Sequence, residues 1–159
     1  MAGTFSQLYI QIVFAVQSRE ALIHTTWEER LYQYITGIIQ NKGQKLIVIN
    51  GMPDHLHIFI GMKPSCRLSD LVREIKKSSN EFIKENKFIK HKFNWQEGYG
   101  AFSYGHSQID TVAKYVMNQK AHHRKVSFKE EYLQFLEKFE IEYDEKYVFD
   151  WITNDAEGI

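Results

Sequence analysis

Two apolar runs lie almost back to back in the first half of the chain, and three residues between them can continue neither. Lys45–Gly51 (KLIVING) and His55–Met62 (HLHIFIGM) are short and rich in Ile, Val and Phe, which is strand composition. Met52, Pro53 and Asp54 read as a turn, because Pro offers no N–H to a ladder and its fixed φ suits a turn position. Strands joined so closely pair as an antiparallel hairpin. What flanks that hairpin then decides the fold.

Before it, Gln7–Val16 (QLYIQIVFAV) reads as another strand. Leu31, Tyr34, Ile35, Ile38 and Ile39 follow at helical spacing, with a Thr26/Glu29 capping box ahead of them and Gly43 as a stop. After the hairpin, Leu68, Leu71, Val72, Ile75, Phe82 and Ile83 mark a second helix, and Gly98–Gly105 (GYGAFSYG) reads as a glycine-punctuated strand. The order β-α-β-β-α-β predicts an α+β, ferredoxin-like (RRM-like) fold: a four-stranded antiparallel sheet with two helices on one face. Ser107 with Asp110 predicts the start of a third helix, striped by Ile109, Val112, Ala113 and Val116. Ser127 with Glu130 predicts a fourth, carrying Phe128, Tyr132, Leu136 and Phe139. The open face of the sheet needs a ligand or these helices to cover it.

No repeat, linker or low-complexity tract interrupts the 159 residues, so a single domain over 1–159 is expected. The lone cysteine, Cys66, excludes an internal disulfide and a Cys-based zinc site. No apolar run approaches a membrane span, and Met1–Ala15 lacks the basic start of a secretory signal, so a cytoplasmic, prokaryotic protein without membrane contact is expected. Net charge is zero, but its distribution is uneven. Arg67–Lys92 holds eight basic against four acidic residues, and Phe128–Ile159 three against ten. Such a block is either a nucleic-acid footprint or a solvated face.

His55 and His57 are i and i+2 on a strand, so both face one side of the sheet, while Leu56, Ile58, Ile60 and Met62 face the core. Two imidazoles so placed can share a metal ion, or the pair can be incidental. Tyr115, Gln119 and His122 fall along one edge of the third helix, roughly 120° from its apolar stripe. A half-buried tyrosine beside a solvated glutamine is the plainer reading of that edge.

Taken together, Pro53-Asp54-His55-Leu56-His57-Ile58 and Tyr115-Val116-Met117-Asn118-Gln119 resemble the single-tyrosine HUH transposases, small insertion-sequence enzymes that act on single-stranded DNA. The likeness extends over most of the chain, through Leu8–Phe14, Trp95–Phe102, His122-His123 and Phe128–Glu131. It implies that His55, His57 and Gln119 are metal ligands, for Mg²⁺ or Mn²⁺, and that Tyr115 is the nucleophile. It implies cleavage and rejoining of DNA through a 5′-phosphotyrosine at hairpin-bearing ends, without a nucleotide cofactor. It also implies a homodimer that exchanges the tyrosine helix, for which Gly98, Gly100 and Gly105 give freedom. Arg73, Lys76, Lys77 and Lys84, with His122, become candidate DNA contacts, and Lys87 extends the row.

Two other readings stay open. Gly98-Tyr99-Gly100-Ala101-Phe102 partly resembles the aromatic motif of RRM-like modules that bind single-stranded nucleic acid without catalysis, although an Ala is inserted and the strand is the fourth. A domesticated, non-mobile relative of the transposases would keep the same chemistry.

Overall fold

The structure of the protein is a computed structural model, which describes residues 3–144. The order is β1 (Tyr9–Ala15), α1 (Glu28–Asn41), β2 (Lys45–Met52), β3 (His55–Gly61), α2 (Leu68–Glu85), β4 (Gly100–Tyr104), α3 (Ile109–Met117), α4 (Gln119–His122) and α5 (Phe128–Lys138). The four strands form one antiparallel sheet in the order β2-β3-β1-β4. This is the expected ferredoxin-like arrangement, and the two central strands are the first and third.

Alternation along β1 and β3 sorts their side chains onto two faces, and both faces are covered. On one, Ile12 and Phe14 of β1 and Leu56, Ile58 and Ile60 of β3 pack against Leu31, Ile35 and Ile39 of α1 and Leu71, Val72 and Ile75 of α2. Trp95 closes this core: its ring meets Phe14 edge-on at 4.9 Å, and its Nε1 donates to Ser79 Oγ at 2.9 Å. The other face carries Gln11, Val13 and Ala15 of β1 with His55, His57 and Phe59 of β3. There Val112 and Val116 of α3 pack on Phe59, and Phe128, Tyr132, Phe135 and Leu136 of α5 pack on Val13, Ala15 and Phe102. The acidic C-terminal stretch thus begins by packing on the body; its residues from 145 onward lie outside the described residues.

Three helix starts differ in detail from expectation or confirm it. The Ser127 cap is present, with its hydroxyl accepting from Glu130 N. Thr26 does not cap α1, because His24 takes that role: its ring nitrogen pairs with Thr26, and its carbonyl accepts from the N–H of Trp27 and Glu28. Residues His106–Gln108 form a 3₁₀ turn that runs into α3, and the reciprocal pair is Gly105 with Gln108 rather than Ser107 with Asp110.

Gly51 is the tightest point of the β2–β3 hairpin. It sits opposite Leu56, and a Cβ there would lie 2.3 Å from the His55 carbonyl oxygen. Gly51→Ala must therefore push the two strands apart at the first residue of β3, an overpacking cost of about 1–3 kcal/mol. Thermal unfolding should show a clear fall in Tm; an unchanged Tm contradicts this close approach. Among the described residues, no helix is long and apolar enough to cross a membrane.

Candidate active site

His55 and His57 emerge side by side on the face of β3 beneath α3, α4 and α5, both fully buried, with ring centroids 5.2 Å apart. Their outer nitrogens are already engaged. His55 Nδ1 lies 2.7 Å from Asp54 Oδ1, a carboxylate that can only accept, so Nδ1 carries the hydrogen. His57 Nδ1 lies 2.7 Å from Gln11 Oε1, whose amide end donates to the Tyr104 hydroxyl. Both Nε2 atoms therefore turn inward, where each presents a lone pair when its ring is neutral, the second-sphere arrangement that orients metal-binding imidazoles.

The helix carrying the tyrosine is not continuous. Asn50 of β2 donates its side-chain amide to the carbonyls of Val116 and Met117, α3 stops there, and α4 begins after Asn118. The break still delivers Gln119, fully buried, to the histidines: its Oε1 lies 3.3 Å from His55 Nε2. Its Nε2 donates to Glu131 Oε2 at 3.0 Å, which fixes the orientation of the amide.

Glu131 of α5 is the member of the cluster that the motif reading missed. Its Oε1 lies 3.0 Å from His57 Nε2, 3.0 Å from His123 Nε2 and 3.5 Å from His55 Nε2. Its Oε2 accepts a hydrogen bond from the Tyr115 hydroxyl, and His122 Nε2 stands 3.5 Å away. A signal for it exists in the sequence. Phe128, Tyr132 and Phe135 form the apolar stripe of α5, and Glu131 interrupts that stripe in register.

The charges follow from this packing. Burial pushes the His57 pKa down to about 4, against the pull of Glu131. Burial also opposes the charged form of His55, but its bonds to Asp54 and Glu131 outweigh that, and its pKa rises. Burial works against the Glu131 carboxylate too, yet hydrogen bonds from His123, His55 and His57 hold it well below the usual carboxylate range. Tyr115 is pushed far above an ordinary phenol, first by burial and then by the charge of Glu131. Unaided, this pocket keeps the phenol proton in place.

The donor set fits a divalent ion. One nitrogen or oxygen from each of His55, His57, His123 and Glu131 lies within 4.8 Å of the others, and the second nitrogens of His55 and His57 are already bound outside the cluster. A cavity of about 220 Å³, lined by Gln11, Tyr104, Tyr115, Glu131, Phe135 and Lys138 among others, reaches the tyrosine from outside.

A family model described as "Transposase IS200 like" matches residues 4–119, the greater part of the chain and the whole of the sheet. The chain belongs to the IS200-like transposase family. Its fold is shared by solved structures. A candidate transposase from Deinococcus radiodurans R1 superposes with a TM-score of 0.62 at 19% identity, covering 75% of this chain and 95% of that one. A REP-associated tyrosine transposase bound to a REP hairpin superposes with a TM-score of 0.59 at 16% identity, covering 79% and 76%. No match was found among curated proteins.

In this transposase the basic candidates on α2 lie across the sheet from the histidines. Lys77 and Lys84 are exposed there, and Lys84 borders a groove with Lys87, Lys90 and Lys92. Arg73 is exposed and paired with Asp70 at 3.1 Å. Lys76 has a different occupation: half-buried, it donates to the carbonyls of Gln96 and Gly98, and burial lowers its pKa to about 8. His122 stands beside the tyrosine, Nε2 3.4 Å from its hydroxyl, while the His/Glu group that could hold an ion includes His123. Phe102, one of the two aromatics of the RRM-like motif, is stacked under Phe135 at 4.7 Å and buried. It is not free to stack on a base.

Proposed function

We propose that this transposase cleaves and rejoins single-stranded DNA with Tyr115 as nucleophile and a divalent metal, Mg²⁺ or Mn²⁺, held by His55, His57 and Gln119. The observation that carries the reading is convergence. Two imidazole nitrogens and an amide oxygen, each fixed by a partner, meet beside one tyrosine hydroxyl. When bound, the ion supplies Lewis-acid polarisation of the scissile phosphate and offsets the charge that develops on it.

The chain's own groups account for the rest. The hydrogen bond to Glu131 Oε2 holds the Tyr115 hydroxyl in place; its oxygen bonds to phosphorus as its proton passes to water. The bond from phosphorus to the 3′ oxygen breaks, and that oxygen leaves as a hydroxyl after taking a proton from water. The downstream strand stays on Tyr115 through its 5′ phosphate, so the bond energy is kept for rejoining and no nucleotide is consumed. A hairpin-bearing strand is the proposed partner, supported by the hairpin bound to the REP-associated relative. Arg73, Lys77 and Lys84 are proposed to contact its backbone, with His122 near the scissile phosphate.

The test uses single strands taken from the DNA flanking the coding region, labelled at the 3′ end, with Mn²⁺ and the full chain. A denaturation-resistant adduct should form, with the label on the peptide containing Tyr115, and the same sequence as a duplex should react poorly. Label on Tyr99 or Tyr104 displaces the nucleophile assignment. Tight binding without any adduct favours a non-catalytic binding module.

A further inference from the structure

We propose that Glu131, assisted by His123, is itself a metal ligand, so that α5 closes the metal site and ties the nucleophile to it. The proposal rests on the metal site of the preceding reading and extends it beyond the strand histidines and Gln119.

The first argument is one of matching donors and acceptors. Glu131 is buried at 1% exposure, and a buried carboxylate is costly unless it is paired. Its Oε1 faces His55 and His57, whose hydrogens are committed to Asp54 and Gln11. Gln119 Oε1 points to the same spot, because its amide nitrogen is committed to Glu131 Oε2. Acceptor atoms of four groups thus converge on one spot, which either protons on the imidazole Nε2 atoms or a cation must neutralise. A divalent cation satisfies all of them at once.

The second argument is distance. Ligands about 2.1 Å from one ion stand about 3.0 Å apart at octahedral angles and about 3.4 Å apart at tetrahedral ones. The separations here are 3.0, 3.0, 3.3 and 3.5 Å. Four contacts of the cluster therefore have the edge lengths of a coordination sphere, while its ligand atoms as a whole lie within 4.8 Å of one another. Aromatic packing keeps it so: Phe128 stacks on the His55 ring at 4.0 Å and Phe135 on Phe102, which sets the height of α5 over the sheet.

Chemistry follows from the enlarged set. Three imidazoles and a carboxylate favour Mn²⁺, Co²⁺ or Zn²⁺ over Mg²⁺, which prefers oxygen ligands and water. The carboxylate also cancels one unit of the ion's charge. With Oε1 on the metal and Oε2 on the Tyr115 hydroxyl, one side chain sets the distance between nucleophile and ion.

Mn²⁺ binding to the full chain without DNA, followed by calorimetry and by the free-Mn²⁺ EPR signal, tests this. Wild type, Glu131→Gln and His57→Ala are compared, with folding checked by circular dichroism. Glu131→Gln should weaken Mn²⁺ by about 100-fold or more, since even outer-sphere losses reach that range. His57→Ala should abolish binding. Unchanged affinity in Glu131→Gln beside lost binding in His57→Ala overturns the role of Glu131 and leaves the strand histidines as the site. Unchanged binding in His57→Ala sinks the metal reading and this proposal with it. Hydrogen exchange on the wild type needs no variant: Mn²⁺ should slow the amides of Phe128–Lys138 together with those of His55–Gly61. Slowing confined to the strand rejects the ligand from α5.

Discussion

Tyr115→Phe should eliminate the covalent protein–DNA product while leaving the fold in place. The ring makes edge contacts with His57, His122 and Phe135 at centroid distances of 5.8, 5.1 and 5.8 Å, and all of them survive in phenylalanine. The lost hydroxyl donates to Glu131 Oε2, which keeps the Gln119 amide as a donor, so the stability cost is about 1 kcal/mol. No other hydroxyl replaces it. The Tyr104 hydroxyl is engaged with Gln11, and burial raises its pKa to about 12. The measurement is transfer of a 3′ label from single-stranded DNA to protein, set against Tm and Mn²⁺ affinity on the same samples. Label transfer should fall to background, with Tm and Mn²⁺ affinity near wild type. An adduct that persists in Tyr115→Phe would mean that another residue is the nucleophile.

Much of this site was legible because strand geometry is unforgiving. Once Leu56, Ile58 and Ile60 are assigned to the core, His55 and His57 have only the other face to occupy, and the structure puts them there. The element order likewise led to the observed sheet, since so short a turn leaves the hairpin no other pairing; the structure shortens it to Pro53-Asp54, with Met52 paired to His55. Helical projection was less dependable. It treated Tyr115, Gln119 and His122 as neighbours on one helix, whereas Asn50 ends α3 at Met117 and a second short helix begins. Tyr115 and His122 still meet directly, and Glu131 joins them to Gln119 and the strand histidines from a helix that local spacing could not relate to His57, 74 residues away. His122, a candidate DNA contact, stands beside the Tyr115 hydroxyl, while its neighbour His123 turns toward Glu131 Oε1. Lys76 shows the limit of reading charge along a helix face: the loop at Gln96–Gly98 supplies carbonyls that hold it, and nothing near Lys76 in sequence announces them.

His57→Ala should have the broadest consequences of any single change at the site. The ring is fully buried between Gln11 and Glu131, so its removal opens a cavity and leaves two buried polar groups short of a partner. A loss of about 2–4 kcal/mol is expected. Metal linkage makes the effect separable from simple destabilisation. A ligand at 100 times its Kd adds about 2.7 kcal/mol to the stability of the state that binds it. Wild type and Tyr115→Phe should therefore both gain Tm with Mn²⁺ and lose the gain with a chelator, while His57→Ala should show neither response and form no adduct. Mixing the two inactive variants then reads out assembly. Here one chain supplies both Tyr115 and His57, and a site built that way stays inactive in the mixture. Recovery of adduct would require the Tyr115 of one copy to reach the His57 of another, the exchanged homodimer that the family resemblance implies. The label would then sit only on the His57→Ala chain, because that chain alone carries the nucleophile.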